Sequence, residues 1–250
     1  MSLALSTRWV RDGSDRLETG AEAAHGLGFR AVHAALPPID AATALPALRA
    51  RGLHLTGVST APLEAASSLG GLVASAAQAA ARLQGTLVVV ESGGLRGPTR
   101  GTLEGAVEEL ARALHRASRA HAGLALALRT ADGPEGLVSF RVAEWLLSDL
   151  AGLPIGLWLD PAAALRIERT PGGPKVLDWG DRYGRSVLGV AVHGLGDGRG
   201  HARPEDDGPD WGTLLGLLPS RAPRVLEVGP NVPGAEVADA RRNLEEVLGW

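Results

Sequence analysis

The chain has no cysteine, one lysine, one tyrosine and one methionine, and aromatic residues fill only 4% of its 250 positions. Without cysteine there are no disulfides, no thiolate metal ligands and no thiol nucleophile, a composition that suits a reducing cytoplasm. The single lysine, Lys175, falls in the Gly/Pro-rich stretch TPGGPK at 170–175, whereas Schiff-base chemistry in a barrel needs a lysine presented from a strand. No serine sits in a G-x-S-x-G elbow, so a hydrolase of that type has no support. Long apolar runs are absent too: the longest uncharged stretch, 65–81, is rich in Ala and Ser and too polar to span a bilayer. The first residues, MSLALSTRWVRDGS, lack the basic and then apolar layout of a signal peptide. A formal net charge of −3 offers no electrostatic basis for holding nucleic acid or an anionic membrane. These exclusions lead to the expectation of a cytoplasmic protein whose partner is a small molecule.

What the chain does have is a rhythm. Eight short apolar runs recur: LALST (3–7), RAVHAAL (30–36), LHLTGVST (53–60), TLVVVESG (86–93), LALALRT (124–130), IGLWLD (155–160), VLGVAVHG (187–194) and RVLEVGP (224–230). Their starts lie about 23 to 38 residues apart, room for a strand, a crossover helix and two loops, and eight such units close a barrel. The expected fold is therefore one (β/α)8 barrel over 1–250, with no linker at which to divide it. Helical spacing of apolar residues is clear at Leu103, Val107, Leu110, Ala111 and Leu114, and weaker over 235–248. Between 161 and 185 the TPGGPK stretch breaks the pattern and predicts a longer loop.

Strand side chains alternate in direction, so the parity of a polar residue near a strand end assigns its face. In LALALRT the leucines at 124, 126 and 128 share one parity and suit the helix-packed outside, which leaves Arg129 inside. The same step points His193, Asp160, Glu227, Glu91 and His33 inward. All six lie near the C-terminal ends of their strands, the face on which barrels place their chemistry. Trp158 shares Asp160's parity and either fills the core or floors a pocket. The Gly-rich run GLGDGRG (194–200) reads as a flexible loop over the mouth, and Arg199 or the helix after GPNVPG offers a phosphate a place near strands seven and eight.

The ordered series GFRAVHAAL, LALALRT, IGLWLDPAAAL, VAVHGLGDGRGHARPEDDGPDW and RVLEVGP resembles the xylose isomerase-like barrels, the sugar phosphate isomerase/epimerase group that also includes metal-dependent apurinic endonucleases. The resemblance spans nearly the whole chain. It implies a divalent ion (Mn, Mg, Co or Zn) held by Glu, Asp, His and Glu from four successive strands, with the two glutamates moving protons on a hydroxy-carbonyl substrate. Asp160, His193 and Glu227 match the second, third and fourth ligands, whereas Arg129 stands where the first glutamate belongs and Ala163 replaces a frequent histidine. Glu91 is an alternative source of the missing carboxylate, and His201 is either a further ligand or a loop residue. Three carboxylates, a neutral His and a divalent cation sum to about −1, and so do Asp160, Glu227 and Arg129 alone. Arginine cannot deprotonate to become a ligand, but its fork can bridge two carboxylates.

Two functional readings follow. The first is an isomerase or epimerase of a small sugar-like compound, with Glu227 as the base, His193 and Asp160 as ligands or substrate contacts, and Arg129 orienting the substrate. The second is a metal-free, non-catalytic barrel that binds a ligand or partner, its mouth held together by Arg129.

Overall fold

The computed structural model describes residues 3–10, 16–97, 102–196 and 201–249. Eight strands form one closed parallel barrel: β1 (Leu3–Ser6), β2 (Ala31–Ala34), β3 (His54–Ser59), β4 (Leu87–Val90), β5 (Ala125–Arg129), β6 (Ile155–Leu159), β7 (Val187–Val192) and β8 (Arg224–Leu226). Each strand pairs with the next in sequence, and β8 closes on β1 through Leu3 opposite Arg224 and Leu5 opposite Leu226. Around it run α1 (Leu17–Gly26), α2 (Ala44–Ala50), α3 (Leu69–Arg82), α4 (Leu103–Ala120), α5 (Phe140–Asp149), α6 (Pro161–Glu168), α7 (Val176–Tyr183), α8 (Trp211–Gly216) and α9 (Gly234–Leu248). Among the described residues no helix is long and apolar enough to cross a membrane.

The alternation along the strands separates two cores. Val32, Val88, Val90, Leu126, Leu128, Leu157, Leu159, Val190, Val192 and Leu226 pack outward into the large core shared with the helices. Their neighbours Ala4, Ala31, Val89, Ala127, Trp158, Ala191 and Val225 form a separate cluster inside the barrel. Most of these interior residues are small, and the space is filled by the fully buried Trp158, whose ring lies 5.0 Å from that of His33. Trp158 stands opposite Gly189 in the β6–β7 register, and a Cβ at Gly189 would come within 2.1 Å of the indole. The glycine therefore makes room for the tryptophan, whose role is core filling.

Two sequence expectations need correction. The stretch 161–185 is not mainly loop: α6 and α7 flank a short turn at TPGGPK. The turn is tight because Gly172 adopts φ +74° and Gly173 leaves no space for a Cβ, which would sit 2.0 Å from the Ile167 carbonyl oxygen. Glu168 then accepts the Val176 N–H at 2.8 Å, tying the end of one helix to the start of the other. In α4 the apolar face holds at Val107, Leu110, Ala111 and Leu114, but Leu103, in the unpacked first turn, is exposed.

Candidate functional site at the barrel mouth

Arg129 is the last residue of β5, and Glu91, Asp160, His193 and Glu227 each follow within a residue of the end of β4, β6, β7 and β8. Ending a parallel strand there aims its final inward side chain into the mouth. Asp160 has a second task, because its Oδ1 accepts the Ala163 N–H at 2.9 Å as N-cap of α6, with Pro161 in the first turn. Its own N–H is held by Thr130 Oγ1 at 3.0 Å, so the carboxylate is oriented from both sides.

Arg129 sits at the centre. Its Nε and Nη2 donate to Asp160 Oδ2 at 3.2 and 2.6 Å, and its Nη1 donates to Glu227 Oε2 at 2.9 Å. Glu91 Oε2 lies 3.5 Å from the same Nη1. Burial opposes charge on Arg129, but Glu227, Glu91 and Asp160 outweigh it and hold the guanidinium's pKa well above its ordinary value. Burial likewise works against the anionic form of Asp160 and of Glu227. In Asp160 it is outweighed by His193 and Arg129, which keep that carboxyl well below the usual range. In Glu227 it is outweighed by Arg129, Arg8 and His201, and the pKa falls to about 2.

Glu91 behaves differently. Burial, reinforced by Glu227, pushes its pKa up against the pull of Arg129 and of its hydrogen bond from Ser59. Ser59 Oγ donates to Glu91 Oε1 at 2.7 Å, and His33 Nε2 lies 3.0 Å from the same hydroxyl. Since the hydroxyl proton is committed to Glu91, the His33 ring donates from Nε2, giving a directed chain from His33 through Ser59 to Glu91. Burial lowers His33 to about 4, so this ring is neutral near pH 7. Glu91, Arg129, Asp160, His193 and His201 line a cavity of about 340 Å³, a volume suited to a small molecule. Glu227, only 2% exposed, is not among the residues that line it.

The mouth thus gathers Glu91, Arg129, Asp160, His193, His201 and Glu227, with His33 behind Ser59, but not as an ion cage. Among the described residues no group of three or more His, Cys, Asp and Glu side chains is arranged to hold a metal ion. The reason is physical. The oxygens of Asp160 and Glu227 that would face a cation face the Arg129 fork instead. His193 Nδ1 lies between the His201 N–H at 3.0 Å and the Gly194 carbonyl oxygen at 3.2 Å, while its buried Nε2 has no hydrogen-bond partner among the described residues and sits 3.2 Å from Asp160 Oδ1, a carboxylate that Arg129 already engages. His201 donates from Nδ1 to the Glu227 carbonyl oxygen at 2.8 Å and stacks on His193 with ring centres 4.5 Å apart. With both carboxylates turned to a permanent cation, the site as arranged does not fit a divalent ion.

Ser59, Arg8 and Arg166 also belong to the mouth and were not singled out in the sequence. For Ser59 the signal was available, since it shares the inward parity of Gly57 on β3, where a Cβ would touch the His33 ring. Residues 197–200, and with them Arg199 and most of the GLGDGRG loop, lie outside the described residues.

Fold and mouth together define the class: this is a closed eight-stranded parallel (β/α)8 barrel, with its polar residues gathered at the C-terminal end. Among solved structures it is similar over 98% of its length to 3-keto-D-glucoside 4-epimerase YcjR from E. coli, of which it covers 99%, at TM-score 0.76 and 13% identity. It is equally similar to D-psicose 3-epimerase from Clostridium cellulolyticum H10, solved with D-tagatose, at TM-score 0.76 and 12% identity, covering 100% of this chain and 97% of that one. A third, the IOLI protein with a bound zinc atom, matches at TM-score 0.75 and 12% identity, covering 100% and 98%. No protein-family model matches the chain, and no curated protein matches it in sequence.

Proposed function

We propose that the mouth binds a small hydroxy-carbonyl or sugar-like compound and moves a proton on it, as an isomerase or epimerase does, with Arg129 in the place where such barrels hold a divalent cation. The observation that carries this reading is the Arg129 fork, which bridges Asp160 and Glu227 and lies beside Glu91 on the cavity wall. A guanidinium has five N–H donors, and three are spent on Asp160 and Glu227, so others remain for a substrate oxygen. In this reading Glu91 replaces Glu227 as the base. Glu227 is sealed behind Arg129 and held at about 2, which makes it a weak proton acceptor, whereas Glu91 lines the cavity and its basicity is raised by burial. Glu91 takes the proton from the carbon next to the carbonyl, and the electron pair moves onto the carbonyl oxygen as an enediolate that the free N–H groups of Arg129 stabilise. Return of the proton by Glu91 to the neighbouring carbon, as the hydroxyl proton passes from one enediolate oxygen to the other, gives isomerisation; delivery of a proton to the opposite face of the first carbon by a second donor, water or a side chain on that side, gives epimerisation.

The neighbours support a sugar-like ligand through fold alone, since their identities are 12–13%. The test is proton exchange in deuterated water, followed by NMR on a panel of ketoses, aldoses and short hydroxy-ketones, with and without a chelator. Deuterium wash-in that survives chelation and is lost in Glu91→Gln is the expected result. Stoichiometric retention of manganese or zinc that disappears in His193→Ala, with exchange dependent on the ion, would overturn the Arg129 reading. Ligand binding without exchange would favour the non-catalytic alternative.

A further inference from the structure

The cavity over Arg129 is lined by three arginines and three carboxylates, but those carboxylates are not hydrogen-bonded to all three arginines. Two further arginines line it, Arg8 just after β1 and Arg166 on α6. Among the described residues Arg8 Nε is buried without a hydrogen-bond partner, and the carboxylate oxygen it approaches, Glu227 Oε2 at 3.9 Å, already accepts from Arg129 at 2.9 Å. Arg166 makes no hydrogen bond or ion pair among the described residues and is exposed on the wall of the mouth. Of the acidic residues on that wall, Asp132 is engaged by Arg96 at 2.7 Å, and Glu91 accepts from Ser59 Oγ at 2.7 Å with its other oxygen 3.5 Å from Arg129. Asp160 is taken by Arg129 and the α6 N-cap. The unmatched groups facing the void are therefore cationic forks, the shape that pairs with a carboxylate or phosphate.

We infer that the ligand of this mouth is an anion: a hydroxy-carbonyl or polyhydroxy compound of about six carbons or fewer whose terminal carboxylate or phosphate is held by Arg8 and Arg166, while its reacting end lies over Arg129 and Glu91. The inference rests on the proton-transfer reading only for the orientation of the ligand, and the charge preference stands without it. A neutral sugar would leave both forks without a hydrogen-bonded anion in a cavity of about 340 Å³, and a six-carbon acid or a short sugar phosphate fills such a volume without protruding far.

Calorimetric titration with D-gluconate, D-fructose 6-phosphate, D-fructose and inorganic sulfate separates the outcomes. The two anionic compounds are expected to bind at least tenfold more tightly than D-fructose and than sulfate, and their order tells carboxylate from phosphate. In Arg8→Gln and in Arg166→Gln that preference should shrink about tenfold or more, as expected when a hydrogen bond to a charged group is lost. A melting temperature within a few degrees of the parent would confirm that each variant is folded. D-Fructose binding as tightly as the two acids, or a preference unchanged in both variants, would overturn the inference while leaving Glu91-dependent exchange untouched. Sulfate competing on equal terms would reduce the site to a general anion patch and would overturn it too. Anion binding with no deuterium exchange would uphold this inference and end the proton-transfer reading instead.

Discussion

Inside the barrel, Trp158 on β6 and Arg129 on β5 stand opposite each other in the register, yet the regions around them are built on opposite principles. The lower one is apolar and settled by volume: small residues on most strands leave a space that one indole fills. In the upper one, charge decides. Arg129, Asp160 and Glu227 are all buried, and none is tolerable there without the others. Replacing a side chain in the lower layer changes a packing term, whereas removing one from the upper layer strands ions. The mouth should therefore be the more fragile of the two, and its fragility should depend on pH.

The largest effect is expected for Arg129→Met, which keeps much of the side-chain volume and removes the cation. Asp160 and Glu227 would be left as buried carboxylates without their main partner, and a broken buried pair costs about 3–5 kcal/mol. Urea denaturation should show that loss at pH 7, partly recovered on mild acidification as the stranded carboxyls take up protons. A cost under about 1 kcal/mol would mean that the bridge contributes no more than a surface ion pair.

The pH dependence itself comes next. Burial lowers His33 and His201 from the ordinary 6.5 to about 4, so the stability tied to their neutral forms is complete above pH 6.5 and is lost as pH falls towards 4. Glu227, lowered from 4.5 to about 2, adds a second loss over that lower window, on the order of 3 kcal/mol from a pKa depressed by that much. Glu91 works in the other direction, because its raised pKa makes protonation on acidification favour the folded state. Urea midpoints measured from pH 7 to 3 should fall in two stages, and Glu227→Gln should flatten the lower stage while leaving the upper. A flat profile between pH 6.5 and 4 in Glu91→Gln, where the opposing carboxyl is gone, would show that the two histidines are not buried in solution.

How much of this could be read beforehand follows from the same contrast. The lower layer was legible because strand parity alone assigns Ala127, Trp158 and Ala191 to the interior. Parity also brought Arg129, Asp160, His193, Glu227 and Glu91 to one end, since each stands at the end of a strand. It could not rank them, because the difference between Glu227 and Glu91 depends on which way the Arg129 fork lies and which carboxylate it covers. Arg8 was missed because β1 stops at Ser6, and beyond a strand end alternation no longer fixes direction. The helices on both sides of TPGGPK were missed because the break was read as a loop, when a φ of +74° at Gly172 lets the chain turn within a few residues.

The smallest effect sharpens the comparison from the lower side. In Gly189→Ala one methyl group would be placed 2.1 Å from the Trp158 ring, with Ala191 and His193 beyond it on the same strand. The indole has little space to retreat, as it is fully buried and stacked at 5.0 Å on His33. Overpacking of this kind costs about 1–3 kcal/mol. Unlike the Arg129 loss, it should be the same at pH 7 and pH 5, because no charge is stranded. The double variant Gly189→Ala/Trp158→Phe should recover part of the cost by shortening the ring that the methyl strikes. If the single variant were neutral, or if the loss varied with pH, the indole would be moving into the charged layer, and the two halves of the barrel would not be independent.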